Sequence, residues 1–220
     1  MKRSLSVFLP VFNGQAWLAR LVCDLVEVVP ELTPRFDVVM IDDASTDATS
    51  EVAYELALKY PQVHLVVHPS RWGRHASMRT GLLHSSGEIV LFREADGAAG
   101  LTGLSQLWQS IRGHDLVVSY SAAALGRIPA YPGSTIASAA ARRPALQIIR
   151  RRALEAWRRL ASDEDWCRYF NRAGFRCLQL EAAPPSGPSR LPGRPAAVDP
   201  PSRPKRPNYL QRLKAFTWGE

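Results

Sequence analysis

Apolar residues recur along this chain in two alternating rhythms. Leu5-Ser6-Val7-Phe8-Leu9-Pro10 is a short, almost continuous apolar run, as expected of a strand buried on both faces. Beyond a turn at Asn13-Gly14, Trp17, Leu18, Leu21, Val22, Leu25, Val28 and Val29 return at spacings of three and four. That spacing predicts a helix, ended by Pro30 and Pro34. Asp37-Val38-Val39-Met40-Ile41 predicts a second strand, running directly into Asp42-Asp43. Asp47, or Thr46 before it, is placed to cap the next helix, whose inner face carries Val52, Leu56 and Ala57. Val63-His64-Leu65-Val66-Val67 predicts a third strand. A short helical stretch over 76–83 and a fourth strand over 88–92 follow.

The rhythm continues further along. Leu104, Leu107, Trp108 and Ile111 give another helical face, and Asp115-Leu116-Val117-Val118-Ser119 a fifth strand. Strands alternating with helices at this interval predict an α/β fold, a mostly parallel sheet flanked by helices on both faces. Residues 121–143, rich in Ala, Ser, Gly and Pro, read as a loop. A helix is predicted over 145–160 and another over 163–173, stopped by Gly174 as a C-cap, with a late strand over 175–180. There is no internal repeat.

From residue 183 the character changes. Nine of the chain's 17 prolines fall in residues 183–207, with five basic residues and one acid. Such a segment cannot supply a core and is expected to be extended or disordered. Tyr209, Leu210, Leu213 and Phe216 suit a short amphipathic terminal helix. The expected organisation is therefore one domain over 1–182 and a basic, Pro-rich tail over 183–220.

Charge changes the picture only after it is divided. The net charge is +8, of which +5 belongs to residues 183–220 and +3 to the body. A basic tail without interleaved aromatics warrants nonspecific attraction to polyanions, and no specific nucleic-acid partner is expected. Three scattered cysteines, Cys23, Cys167 and Cys177, make neither a disulfide framework nor a metal knuckle, and Cys23 reads as core. With no apolar run near the roughly 18 residues of a membrane span, and a strand beginning within a few residues of Met1, a cytoplasmic setting is expected.

In open parallel sheets, ligands bind outside the carboxyl ends of the strands. Here those ends carry Pro10-Val11-Phe12-Asn13, Asp42-Asp43-Ala44-Ser45-Thr46-Asp47 and Glu94-Ala95-Asp96. Acids that merely cap helices account for Asp47, but poorly for Asp43 and Asp96. So many carboxylates on one edge call for a cation or for hydrogen-bond donors. A dehydrogenase reading fails early, because no Gly-X-Gly-X-X-Gly follows the first strand.

The run from Ser6 to Asn13, the run from Val39 to Asp47, and the stretch from Gly73 through Arg79 to Gly81 together resemble the family-2 inverting glycosyltransferases of GT-A fold. Ser86-Gly87-Glu88-Ile89-Val90 then leads to Glu94-Ala95-Asp96 at the position of that family's metal motif. The resemblance is close over residues 4–97, looser to about 118, and returns near Glu164-Asp165-Trp166.

The resemblance implies roles. Pro10, Val11, Phe12 and Asn13 would border the nucleotide, and Asp43 would accept a hydrogen bond from the base, typically uracil. Arg79 would face the diphosphate. Asp96, with Glu94, would bind Mg²⁺ or Mn²⁺, hard cations suited to carboxylate oxygen. The family usually has Asp where Glu94 stands, so the charge is kept and the reach altered. Asp165, with Glu164 beside it, would be the catalytic base that takes the acceptor's proton during inversion. A plainer account of Asp163-Glu164-Asp165 is acids complementing a helix N-terminus.

The implied activity is metal-assisted glycosyl transfer, with inversion, from a nucleotide-sugar donor, UDP-linked by resemblance, to an acceptor hydroxyl or phosphate. Seven arginines between Arg142 and Arg159, against Glu155 alone, suit either a solvated helix surface or contact with a lipid-linked phosphate. The second case would place the protein peripherally at the inner face of a membrane. The alternative is a non-catalytic relative that binds a nucleotide-sugar or a partner.

Overall fold

The computed structural model describes residues 3–93, 101, 103–120, 146–160 and 166–181. Seven strands form one sheet: β1 (Leu5–Val11), β2 (Phe36–Asp42), β3 (Val63–Val67), β4 (Ile89–Arg93), β5 (Leu116–Tyr120), β6 (Leu146–Arg150) and β7 (Cys177–Glu181). Their order across the sheet is β3-β2-β1-β4-β6-β5-β7. β3, β2, β1 and β4 are mutually parallel, β6 runs antiparallel to both β4 and β5, and β7 is parallel to β5. The parallel carboxyl ends of β1, β2 and β4 therefore share one edge.

Both faces of this sheet are covered, which is why its strands read as unbroken apolar runs rather than alternations. Leu5, Val7, Leu9 and Val11 of β1, with Val38 and Met40 of β2, pack toward α1 (Leu18–Leu32), α2 (Thr49–Lys59) and α4 (Leu104–Ser110). Phe8 of β1, Val39 and Ile41 of β2, and Val90 and Phe92 of β4 pack the other way. That face meets α3 (Gly73–Leu83), α5 (Arg151–Arg158) and α6 (Trp166–Arg172). Each such fully buried side chain contributes about 1.5–3 kcal/mol relative to exposure. α3 lies so close to β1 that a Cβ on Gly81 would come within 2.5 Å of the Phe8 ring.

The predicted elements are present with three revisions. α1 passes through Pro30 and ends at Leu32. A proline this near the helix end frees only a carbonyl in the last turns. Thr33 ends the helix instead, extended at φ −158°, as expected for the residue before a proline. The stretch expected as one helix over 145–160 is strand β6 followed by α5. Leu146, Ile148 and Ile149 are buried against opposite faces of the sheet. A strand buried on both sides has no period of two to betray it, while Ile149, Ala153 and Trp157 mimic helical spacing. Cys23 is half-buried rather than core, with its Sγ 3.6 Å from the Tyr60 hydroxyl.

Gly174 does stop α6, at φ +77°, and the Phe175 N–H reaches back to the Phe170 carbonyl at 3.0 Å. The expected loop over 121–143 and the tail over 183–220 lie outside the described residues.

Candidate functional site

The loops leaving β1 and β2 brace one another at the carboxyl edge. Asn13 turns the chain at φ +54° and Ala44 does so at φ +62°. An Asn tolerates this conformation, whereas an alanine pays about 1–2 kcal/mol for it. Cross-loop bonds hold both in place. The Asn13 N–H donates to Ser45 Oγ at 3.0 Å, and Asn13 Oδ1 accepts from the Thr46 N–H at 2.9 Å. The Gly14 N–H donates to Thr49 Oγ1 at 2.7 Å, and Gln15 Oε1 accepts from the Ala48 N–H at 2.8 Å. Asp42 accepts from the Ser45 N–H and from the Ser50 hydroxyl, and Asp47 from the Thr49 N–H and hydroxyl.

Asp43 holds a third segment to this cradle. Its Oδ1 accepts from His68 Nδ1 at 2.9 Å and from the Trp72 N–H at 2.8 Å, and its Oδ2 accepts from the Gly73 N–H at 2.9 Å. His68 is itself buried, and its Nε2 lies 2.9 Å from Thr80 Oγ1. Burial alone would push the Asp43 carboxyl up. The His68 ring and the two backbone N–H groups outweigh it and hold the carboxyl below the usual carboxylate range. Asp43 thus fixes the start of α3 beside the end of β2. A carboxylate has about four acceptor positions, so one remains for a further donor.

Aromatic surface flanks these polar groups. Pro10 and Val11 lie in β1, half-buried and buried respectively, while Phe12 emerges at 36% exposure. The Arg71 guanidinium sits 3.9 Å over the Phe12 ring, and Trp72, 50% exposed, lies with its ring centroid 4.5 Å from that of His68. Flat, exposed π-faces beside a strained loop suit stacking by a planar heterocycle.

Arg79, the arginine expected to face a diphosphate, lies within α3. Arg79 Nη2 donates to the Leu160 carbonyl at 3.2 Å, and its guanidinium lies 5.1 Å over Trp157. Arg74, in the first turn of α3 beside the Asp43-held N–H groups, lies closer to the carboxyl edge. Its guanidinium stacks 3.7 Å over Trp166 and lies 5.5 Å from the Phe92 ring. Four residues beyond Phe92 comes Asp96. Glu94, Asp96, Glu164 and Asp165 all lie outside the described residues. Among the described residues, no three of His, Cys, Asp and Glu gather closely enough to hold a metal ion. The described part of β4 ends at Arg93, one residue past the Phe8–Phe92 pair that sets it beside β1.

The arginine-rich stretch is largely spent within the protein. Arg150 donates to the His114, Ile111 and Arg112 carbonyls, and Arg151 to those of Gly87 and Leu82. Arg152 pairs with Asp115 at 2.6 Å and Arg158 with Glu155 at 2.9 Å. Arg159 is exposed, and Arg142 and Arg143 lie outside the described residues. Among the described residues no helix is long and apolar enough to cross a membrane.

Sequence reasoning passed over His68, Arg74 and Gln147, and named Trp166 only as part of a motif. A buried histidine directly after a strand, and an arginine right behind the glycine that opens a helix, were the available signals for two of them. Gln147 was hidden because its strand was read as helix.

Residues 6–178 match glycosyl transferase family 2. Over 83 residues the chain is 35% identical to a dolichyl-phosphate beta-glucosyltransferase of Trichomonas vaginalis, a match covering 38% of this chain and 24% of that protein. The matched stretch is thus about a quarter of the relative's length. Two solved structures share the fold. One is the mannosyltransferase PcManGT from Pyrobaculum calidifontis in complex with GDP-Man and Mn²⁺, with TM-score 0.60, 18% identity, and coverage of 85% of this chain and 59% of that one. The other is glucosyl-3-phosphoglycerate synthase from Mycobacterium tuberculosis in complex with Mg²⁺ and UDP, with TM-score 0.59, 20% identity, and coverage of 82% and 69%. The fold is accordingly GT-A-like, with a mostly parallel seven-stranded sheet among the described residues. By its sequence match and by its architecture, the chain belongs to glycosyl transferase family 2.

Proposed function

We propose that this protein transfers a sugar, with inversion, from a nucleoside-diphosphate sugar to a polyprenyl phosphate or a similar lipid-linked acceptor. The observation that carries this reading is the braced pair of loops at the carboxyl ends of β1 and β2, with an exposed aromatic beside a buried aspartate that keeps one acceptor position open. Phe12 offers the base a stacking face, and the remaining lone pair of Asp43 accepts an N–H from the base edge, as uracil provides. Pro10, Val11 and Asn13 shape the wall. Arg74 faces the diphosphate, in addition to or in place of Arg79, because it opens α3 directly after the Gly73 N–H that Asp43 holds.

Asp96, with Glu94, would hold a divalent cation. When bound, that cation neutralises the charge that develops on the departing diphosphate. Asp165 takes the acceptor proton, and Glu164 adds negative charge beside it. The acceptor class rests on relatives such as the dolichyl-phosphate beta-glucosyltransferase of Trichomonas vaginalis. It is consistent with a cytoplasmic protein meeting the inner face of a membrane, helped by the basic tail. Glu94 at the first metal position favours one second reading, a family member that binds nucleotide-sugar or a partner without turnover.

The test is a transfer assay with radiolabelled UDP-glucose and polyprenyl phosphate in phosphatidylglycerol-containing vesicles. The expected result is a lipid-linked product of inverted anomeric configuration that EDTA abolishes and Mn²⁺ restores. Binding of UDP-glucose without any product, across hydroxyl and phosphate acceptors, would instead establish the non-catalytic reading.

A further inference from the structure

Trp166 is the first residue of α6 and is fully buried, yet its neighbours are unusual for a core residue. Its indole N–H donates to Gln147 Oε1 at 2.9 Å. Gln147 is also fully buried, on β6, in register between Phe92 of β4 and Val118 of β5. The Arg74 guanidinium stacks on the indole at 3.7 Å. Phe92 and Trp157 meet it edge-on, with ring centroids at 5.0 and 5.5 Å, and His75 stands perpendicular at 5.5 Å. One side chain therefore touches the first turn of α3, the end of β4 and the buried face of α5.

Two of those contacts, and Trp166 itself, adjoin groups proposed for the chemistry. Arg74 is the cation proposed to face the diphosphate, Phe92 lies four residues before Asp96, and Trp166 itself is peptide-bonded to Asp165. Apolar packing alone would be served by Leu or Phe at this position. The indole adds a directed hydrogen bond to a sheet amide and a flat face for a guanidinium, both of which fix orientation rather than merely fill space. The Gln147 amide spends its oxygen on α6, where Cys167 Sγ also approaches it at 3.6 Å, while its Nε2 has no hydrogen-bond partner among the described residues.

We infer that Trp166 is a positioning residue that holds Arg74 and the start of α6 in the orientation that transfer needs, through its hydrogen bond to Gln147 and its stack with Arg74. This rests on the proposed transferase reading and on Asp165 as base. A catalytic group displaced by about 1 Å can lose on the order of 100-fold in rate. Trp166→Phe keeps a ring against Phe92 and Trp157 but removes the N–H, and Gln147→Leu removes the acceptor at similar volume. Both act on geometry, and neither residue is among those proposed to touch nucleotide.

The experiment measures kcat, the UDP dissociation constant with Mn²⁺, and hydrogen exchange over residues 161–170. It compares wild type, Trp166→Phe, Gln147→Leu, the double variant and Trp157→Phe. The expected result is a 10- to 100-fold lower kcat in both single variants and no further loss in the double. UDP affinity should stay within twofold, exchange over 161–170 should rise, and Trp157→Phe, which fills the same cluster, should keep kcat within threefold. Unchanged exchange over 161–170 in Trp166→Phe, or a fall in UDP affinity parallel to the fall in kcat, would overturn the inference. So would equal losses in Trp157→Phe, which would mark a purely structural cluster. Loss of activity in Asp165→Asn with Trp166→Phe fully active would sink this inference alone. Full activity in Asp165→Asn would sink the base assignment, and the exchange measurement would still decide whether Trp166 fixes the segment.

Discussion

Replacing Asp165 with Asn is expected to lower the rate of sugar transfer by about 1,000-fold, the middle of the range for removing a general base. Asn keeps the size and hydrogen-bonding shape of the side chain but cannot take a proton from the acceptor hydroxyl or phosphate. The loss should therefore fall on kcat, with UDP affinity unchanged, because the base acts on the acceptor and not on the nucleotide. Glu164→Gln should cost much less if Asp165 alone takes the proton. The check is a steady-state assay alongside a nucleotide titration of the same preparations. A kcat within threefold of wild type in Asp165→Asn would remove this residue from the chemistry. The segment would then do no more than complement a helix N-terminus.

The second large effect is expected at Asp43, and it is one of stability as well as binding. Asp43→Ala strands the Trp72 and Gly73 N–H groups and the buried His68 ring, all of which now donate to one carboxylate. Leaving such donors without a partner costs about 3 kcal/mol in total. For a protein of this size that corresponds to a fall in melting temperature of about 8 °C. UDP binding should be lost with it, since the start of α3 would no longer be tied to β2.

The same carboxylate makes stability pH-dependent in a defined direction. Its pKa is depressed in the folded state, so its contribution is fully present above the ordinary carboxylate value near 4. The contribution is lost as the pH falls through the lower, folded value. Asp115 behaves alike: burial raises its pKa, but hydrogen bonds from Arg152 and the Arg176 N–H and the charges of both arginines outweigh it. Asp43→Asn should accordingly flatten part of the acid limb and leave the part due to Asp115. Thermal melts from pH 7 down to 3 would show this. Parallel limbs in wild type and Asp43→Asn would contradict it.

The strands and helices up to residue 118 were legible because each stretch obeys one rhythm and is bounded by turn residues. Val63–Val67 was read to the residue, and β1 missed only Val11. β6 was not legible, because a five-residue strand buried on both sides carries no alternation and runs directly into α5 with no turn between them. The carboxyl edge was legible as the place where acids gather, and Asp47 as one that meets the start of a helix, but the other pairings were not. Asp42 and Asp47 are engaged by hydroxyls and backbone N–H groups of their own loop. Asp43 is tied to a histidine 25 residues away, a pairing that no spacing announces. Arg79 and Arg74 differ by less than two helical turns, yet only the structure shows that Arg79 leans toward Leu160 and Trp157 while Arg74 leans toward Trp166.

The central claim is that this edge binds a nucleoside diphosphate with a divalent cation held through Asp96. Calorimetric titration of UDP into wild type and Asp96→Ala, each with and without Mn²⁺, tests it most directly. The account predicts binding to wild type that Mn²⁺ tightens at least tenfold, and no such tightening in Asp96→Ala. Absence of binding by UDP or any other nucleoside diphosphate to folded wild type, with and without metal, would contradict it.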